Sequence, residues 1–177
     1  MPNTKQKTVA TQMDAIELLT EDHKKVKKLF KEFDSLKEGK DSNDKKSTLV
    51  SEILMELTIH TQLEEEIFYP AVRAAIENQD VMDEAEVEHA GAKELISQLE
   101  TMSPGDDLYD AKVKVLSEYV EHHVKEEESE MFPLTKKTKL DMGKLGVEMM
   151  ELKEELKTDM EELSASVKAG SKKSKAL

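Results

Sequence analysis

The segment HTQLEEEIFYP at residues 60 to 70 and the segment HVKEEESEMFP at residues 123 to 133 repeat one arrangement: a His, a Glu four residues later, and a Pro six residues beyond the Glu. Helix positions four apart lie one above the other on a single face, so each His and its Glu can reach a common point. Both pairs fall on the apolar face of a helical pattern, where a chain normally places Leu or Val. A buried polar side chain without a partner costs about 1 to 3 kcal/mol. A fold that buries both repeats must therefore supply those groups with something to bind.

The same interruption occurs on every helical pattern of the first two thirds of the chain. Ile16, Leu19, Val26, Phe30 and Phe33 outline a first helix ending near Gly39, and the slot between Leu19 and Val26 holds His23. After the linker GKDSNDKK, a second helix over residues 44–78 follows Leu49, Ile53, Leu57, Ile67 and Ala71, with His60 and Glu64 in the intervening slots. Pro70 predicts a kink or a loosened turn just ahead of it. A third helix over 81–102 carries Ala85, Ala92, Ile96 and Leu99, interrupted by His89. The turn SPGDD introduces a fourth helix over 108–132, with Val113, Leu116 and Val120 leading to His123 and Glu127.

Short linkers between such helices predict an all-α fold, an antiparallel up-down four-helix bundle over residues 14–138. Composition agrees: 37% of residues are charged, 4% are aromatic, and there are six Gly and four Pro, too few for a turn-rich sheet protein. A fifth, C-terminal amphipathic helix is expected over 139–167, where Leu145, Met149, Leu152, Leu156, Met160, Leu163 and Val167 recur at heptad-like spacing. It is suited either to cover a face of the bundle or to form a homodimer. A flexible arm is expected over residues 1–13 and a disordered basic tail over 168–177.

The net charge of −13 opposes nucleic acid as a partner, because phosphate binding draws on an excess of Lys and Arg. No stretch is apolar for long enough to span a membrane, and a soluble, cytoplasmic protein is expected. The chain has no Cys, so a bound metal has only nitrogen and oxygen ligands available.

In a four-helix bundle the seam residues converge at the centre. The candidate metal ligands are thus His23, His60, Glu64, His89, His123 and Glu127, since imidazole nitrogen and carboxylate oxygen bind divalent cations and a carboxylate can bridge two of them. His122 lies about 100° around the helix from His123 and is expected to be exposed or to act from behind a ligand. Glu65, Glu66, Glu126 and Glu128 are off the seam and expected in solvent, with one of them able to orient a ligand His. Phe68, Tyr69 and Phe132 read as packing around the site, and Tyr119 as core packing or surface.

The stretches EDHKKVKKLF, IHTQLEEEIFYP, EHAGAKELI and EHHVKEEESEMFP together resemble the haemerythrin family, specifically its bacterial HHE cation-binding domains. That resemblance implies a non-haem di-iron centre of two Fe ions, bridged by carboxylates and an oxo or hydroxo group, at the six positions named above. Zn or Mn are the alternative metals. It further implies a small-molecule oxidant as partner: dioxygen, hydrogen peroxide or nitric oxide. Oxygen-carrying members have a second His one turn after the third-helix ligand, where this chain has Lys93. They also have an Asp five residues after the last His, a spacing met here only by His122 with Glu127. One imidazole fewer leaves a position open to an exogenous ligand, which favours peroxide or oxygen chemistry over simple carriage. Three functional classes follow: a di-iron protein that binds or reduces small oxidants, catalase-like if it is an enzyme; a metal- or oxygen-responsive sensor without turnover; and a bundle in which a single Zn or Mn serves only as a structural staple.

Overall fold

The computed structural model describes residues 13–36 and 40–174, with only the backbone described at residues 40, 41, 164 and 166–174. All regular structure among the described residues is helical. Helix α1 (Ala15–Asp34) opens on a reciprocal cap in which Asp14 accepts from the Glu17 amide and Glu17 accepts from the Asp14 amide. A cap of this kind contributes about 1 kcal/mol and fixes where the helix begins.

The second long rod is α2 (Lys40–Leu63), a wide π-helical turn over Glu64–Phe68, and α3 (Tyr69–Ala75). Helix α4 (Asp80–Glu100) follows. The fourth rod repeats the construction of the second: α5 (Tyr109–Glu126), a π turn over Glu127–Met131, and α6 (Phe132–Thr135). The loosening expected ahead of Pro70 is this π turn, in which the Tyr69 amide reaches back five residues to the Glu64 carbonyl. Phe132, just before Pro133, does the same to the Glu127 carbonyl. Pro has no N–H, so widening the preceding turn accommodates it while both rods continue.

Buried apolar residues form two clusters, one at each end of the bundle. Val26, Phe30, Ile53, Leu57, Ile96, Leu116 and Val120 belong to the first. Leu19, Ile59, Leu63, Phe68, Met82, Ala85, Met131 and Phe132 belong to the second. Chain order through these clusters alternates from rod to rod, the signature of up-down antiparallel packing. The seam His and Glu residues occupy the layer between the clusters.

Helix α7 (Met142–Ser174) packs along α1, α2 and the first π turn. Covering a bundle face, one of the two roles expected for the fifth segment, is what its first half does. Met149 is fully buried there, with Leu145, Leu152, Leu156 and Met160 half-buried against the second cluster. Gly146 sits where the axis passes the start of α1: a Cβ on it would run into the Met13 carbonyl oxygen. The helical backbone continues to Ser174, past the expected boundary at 167, so most of the segment read as a disordered tail is helical. The N-terminal arm, apart from Met13, lies outside the described residues, as do 175–177. No described helix is long and apolar enough to cross a membrane.

Candidate metal centre

All six seam residues meet in the layer between the two apolar clusters, and each is buried. They fall into two overlapping groups of closely approaching donor atoms, His23 with His60, Glu64 and Glu127, and His89 with His123 and Glu64. The Glu64 carboxylate joins them. Its Oε1 lies 3.2 Å from His60 Nε2 and its Oε2 lies 3.3 Å from His89 Nε2. Glu127 Oε2 likewise stands between His23 Nε2, at 3.2 Å, and His123 Nε2, at 3.6 Å.

The π turns begin at the two Glu residues, Glu64 and Glu127, that lie between these groups. In each rod the His belongs to the regular helix and its Glu is the first residue of the wide turn, so the rods present equivalent pairs from opposite sides of the layer.

Several buried atoms in this layer have no hydrogen-bond partner: Nε2 of His23, both ring nitrogens of His60, both oxygens of Glu64, and Oε2 of Glu127. Orphaned buried donors and acceptors are rare in folded proteins because each costs about 1 to 3 kcal/mol. All but His60 Nδ1, which faces Asp22, belong to the clustered nitrogen and oxygen donors, the ligand types that divalent cations accept. The residues therefore fit a metal centre, and the cluster is capable of holding metal cations.

Behind the imidazoles stands a set of carboxylates. His23 Nδ1 is 2.9 Å from Glu128 Oε1, His89 Nδ1 is 2.9 Å from Glu65 Oε1, and His123 Nδ1 is 2.7 Å from Glu88 Oε2. Asp22 Oδ2 lies 3.7 Å from His60 Nδ1, beyond hydrogen-bond range. Such partners fix which ring nitrogen carries the proton and leave Nε2 free to coordinate. Sequence spacing had allowed one off-seam Glu to orient a ligand; Glu65 and Glu128 both do. Glu88 and Asp22 were missed, although each directly precedes a seam His in the sequence.

Electrostatics follow from this packing. Burial alone would depress the His60 imidazole, but the Glu64 and Asp22 carboxylates outweigh it and raise its pKa to about 10. Burial works against ionised Glu64, and His60 and His89 overcome it to hold that carboxyl well below the usual range. His123 is likewise raised, with burial opposed by Glu88, Glu127 and Glu64. Carboxylates thus hold protons on His60 and His123, shared between imidazole and carboxylate.

Tyr69, expected as packing, is part of the site. Its hydroxyl donates to Glu127 Oε1 at 2.9 Å and lies 3.2 and 3.3 Å from Nε2 of His89 and His123. Burial, together with the Glu127 and Glu64 charges, raises the phenol well above its ordinary pKa. The available signal was its position five residues after Glu64, which the π turn brings back over the centre. Phe132 meets its expected role, stacked parallel to the His23 ring with centroids 5.9 Å apart. His122 is exposed as expected and pairs with Glu126 and Glu88 at 3.1 and 3.4 Å. Tyr119 is half-exposed. Lys93 binds Glu65, the carboxylate behind His89.

Two spaces adjoin the centre. A small cavity of about 30 Å³ is bordered by all four seam His and by Val26, Leu57, Ala92, Ile96, Val120 and Val124. An open cleft of about 540 Å³ leads from the surface between Arg73, Glu86 and Lys93 to Tyr69 and His89.

Comparison with known proteins places this geometry. A crystal structure of a hemerythrin HHE cation binding domain-containing protein from Mycobacterium kansasii superposes with a TM-score of 0.69 at 25% identity, covering 83% of this chain and 89% of that one. A protein named DNA nickase from Nostoc sp. is 32% identical over 122 residues, 68% of this chain. The matched segment spans only 33% of that protein's length. The model of the Hemerythrin HHE cation binding domain matches residues 14–135, well over half the chain and all six seam ligand candidates, and the chain belongs to that family.

Proposed function

We propose that the layer holds two iron ions and that the protein binds or reacts with small oxidants there. One ion would be held by His23, His60, Glu64 and Glu127, the other by His89 and His123 with Glu64. The observation that carries this reading is the Glu64 carboxylate, buried, without a hydrogen-bond partner, and directing one oxygen to His60 and the other to His89. Bound iron would supply reversible electron transfer to a small oxidant.

The chain's own residues do the rest. Glu128, Glu65 and Glu88 hold three imidazoles in the tautomer that exposes Nε2. The Tyr69 hydroxyl lies against Nε2 of His89 and His123 while donating to Glu127, and Tyr69 and His89 both line the open cleft. The small cavity on the other side is walled by Val, Leu, Ile and Ala and admits a species of two or three heavy atoms at most, since one water-sized body takes about 10 to 15 Å³. These features support dioxygen, peroxide or nitric oxide as partner and turnover of peroxide as the enzymatic form of the reading. A cytoplasmic setting belongs to the same reading. The activity named for the Nostoc relative is not carried over, because two thirds of that protein lies outside the match and a net charge of −13 opposes a phosphate backbone.

The test is to count metal in protein purified from iron-replete cells and record optical spectra before and after adding peroxide, dioxygen or nitric oxide. Two irons per chain with an oxidant-dependent spectrum is the expected result. Glu64→Ala should hold at most one metal and should lose at least half of the metal-induced stabilisation, which is about 2.7 kcal/mol per site at a free metal concentration near 100 times Kd. Iron content no higher in wild type than in Glu64→Ala would overturn the reading.

A further inference from the structure

Three of the four imidazoles meet a partly exposed Glu at Nδ1, and His60 is the exception. Its carboxylate is Asp22, which is buried and stops 3.7 Å short. The other oxygen of Asp22 is bound by Lys153 of α7, itself buried at 8% exposure.

A buried ammonium is costly, and a well-packed apolar residue at this place would serve stability as well or better. Position 153 lies beside Met149, Leu152 and Leu156, against the apolar cluster, where Leu or Met would fit the pattern. Packing thus gives no reason for a Lys. The second half of the centre repeats the construction: Lys93 binds one oxygen of Glu65 while the other lies 2.9 Å from His89 Nδ1. In both places a Lys holds a carboxylate that faces the rear nitrogen of a seam imidazole.

We propose that Lys153 is a positioning residue for the metal centre, anchoring Asp22 so that its free oxygen accepts the His60 Nδ1–H, and so coupling the docking of α7 to occupancy of the His23 and His60 half. The inference rests on the metal reading above. An imidazole that coordinates through Nε2 carries its proton on Nδ1, and a carboxylate fixed there orients the ring and makes it a better donor. Lys153 takes Oδ1 of Asp22 and leaves Oδ2 facing His60 Nδ1 at 3.7 Å, so a small approach of that oxygen completes the hydrogen bond without releasing the ammonium. Linkage is reciprocal: if α7 strengthens metal binding, metal tightens α7 by the same factor. Lys153 lies outside the segment 14–135 matched by the family model, so an element added to the bundle reaches into its centre.

The experiment titrates the full chain with Zn(II), as a redox-silent probe, and with Fe(II) under anaerobic conditions, and follows amide hydrogen exchange in α7. Lys153→Met should weaken one of two sites by about 10- to 100-fold, the range for loss of an outer carboxylate's hold on a ligand His. Asp22→Asn should do the same, and Lys153→Arg should recover most of the affinity. Lys144→Met, on an exposed stretch of the same helix, should bind as wild type does. Metal should slow exchange across α7 in wild type and not in Lys153→Met. Two sites of wild-type affinity in Lys153→Met overturn the inference and leave the metal reading standing, even if α7 exchange quickens. Wild type that binds neither ion overturns both.

Discussion

The Tyr69 hydroxyl donates to Glu127 across the bundle at 2.9 Å, joining the residue that follows the first π turn to the residue that begins the second. Without that donor, Glu127 would have neither carboxylate oxygen satisfied in the metal-free protein, since its Oε2 has no partner. Tyr69→Phe is expected to lower the unfolding free energy of the metal-free protein by about 1 to 3 kcal/mol in urea titration. Burial and the neighbouring carboxylates keep the phenol protonated in the metal-free protein, so metal-free wild type and Tyr69→Phe should show the same tyrosinate absorption at about pH 10. A phenolate-to-metal band lost on substitution would make Tyr69 a ligand instead.

Glu88 accepts from His123 at 2.7 Å while remaining partly open to solvent, so its replacement should not disturb the core. Glu88→Gln is expected to keep the helical content of the metal-free chain and to change its unfolding free energy by no more than about 1 kcal/mol, because the amide oxygen still accepts from His123. Metal affinity should fall by about 10- to 100-fold in competition with a chelator. Unchanged affinity would show that His123 is oriented by packing alone.

Metal uptake should release protons. His60 holds its proton up to about pH 10 without metal, and coordination requires the neutral ring. Affinity is therefore expected to rise with pH from 6 to 9, with the calorimetric enthalpy at pH 7.5 depending on the buffer's ionisation enthalpy. An affinity flat in pH would contradict the shared-proton picture.

The same groups set the pH dependence of the metal-free fold. A raised His60 stabilises it fully below the ordinary imidazole pKa of 6.5, and that contribution fades as pH climbs toward about 10. Depressed Glu64 contributes above the ordinary carboxyl value of 4.5 and is lost as pH falls below it. Metal-free protein should thus be most stable between about pH 4.5 and 6.5 and lose stability on either side, measurable as the urea midpoint against pH.

Gly146 is the close approach that lets α7 dock. Gly146→Val would drive a side chain into the Met13 carbonyl, which belongs to backbone and cannot rotate away. Docking is expected to weaken by about 1 to 3 kcal/mol, seen as faster proteolysis within α7, with the bundle's own melting little changed. Unaltered proteolysis would place the contact outside what holds α7.

The four amphipathic rods, their order and the six polar seam residues could be read from spacing, because helix periodicity maps sequence offset directly onto a face. Even the loosened turn before Pro70 followed from a missing N–H. The residues behind the seam could not be read in this way. Asp22 and Glu88 precede His23 and His89 in the chain, yet each serves an imidazole on a different rod, His60 and His123.

Regular helix geometry gives no reason for a residue five past Glu64 to join the site, so spacing alone reads Tyr69 as packing; the extra residue in the π turn alters that geometry, and neighbouring rods provide its partners. Lys153 is further still, 131 residues from Asp22, and its partner depends on where α7 crosses α1. Sequence by itself thus determined which side chains each helix turns inward, a local property of 3.6-residue periodicity. Tertiary packing alone decided which of them share a proton, since that depends on the relative height and rotation of separate rods, to which no spacing along one rod responds.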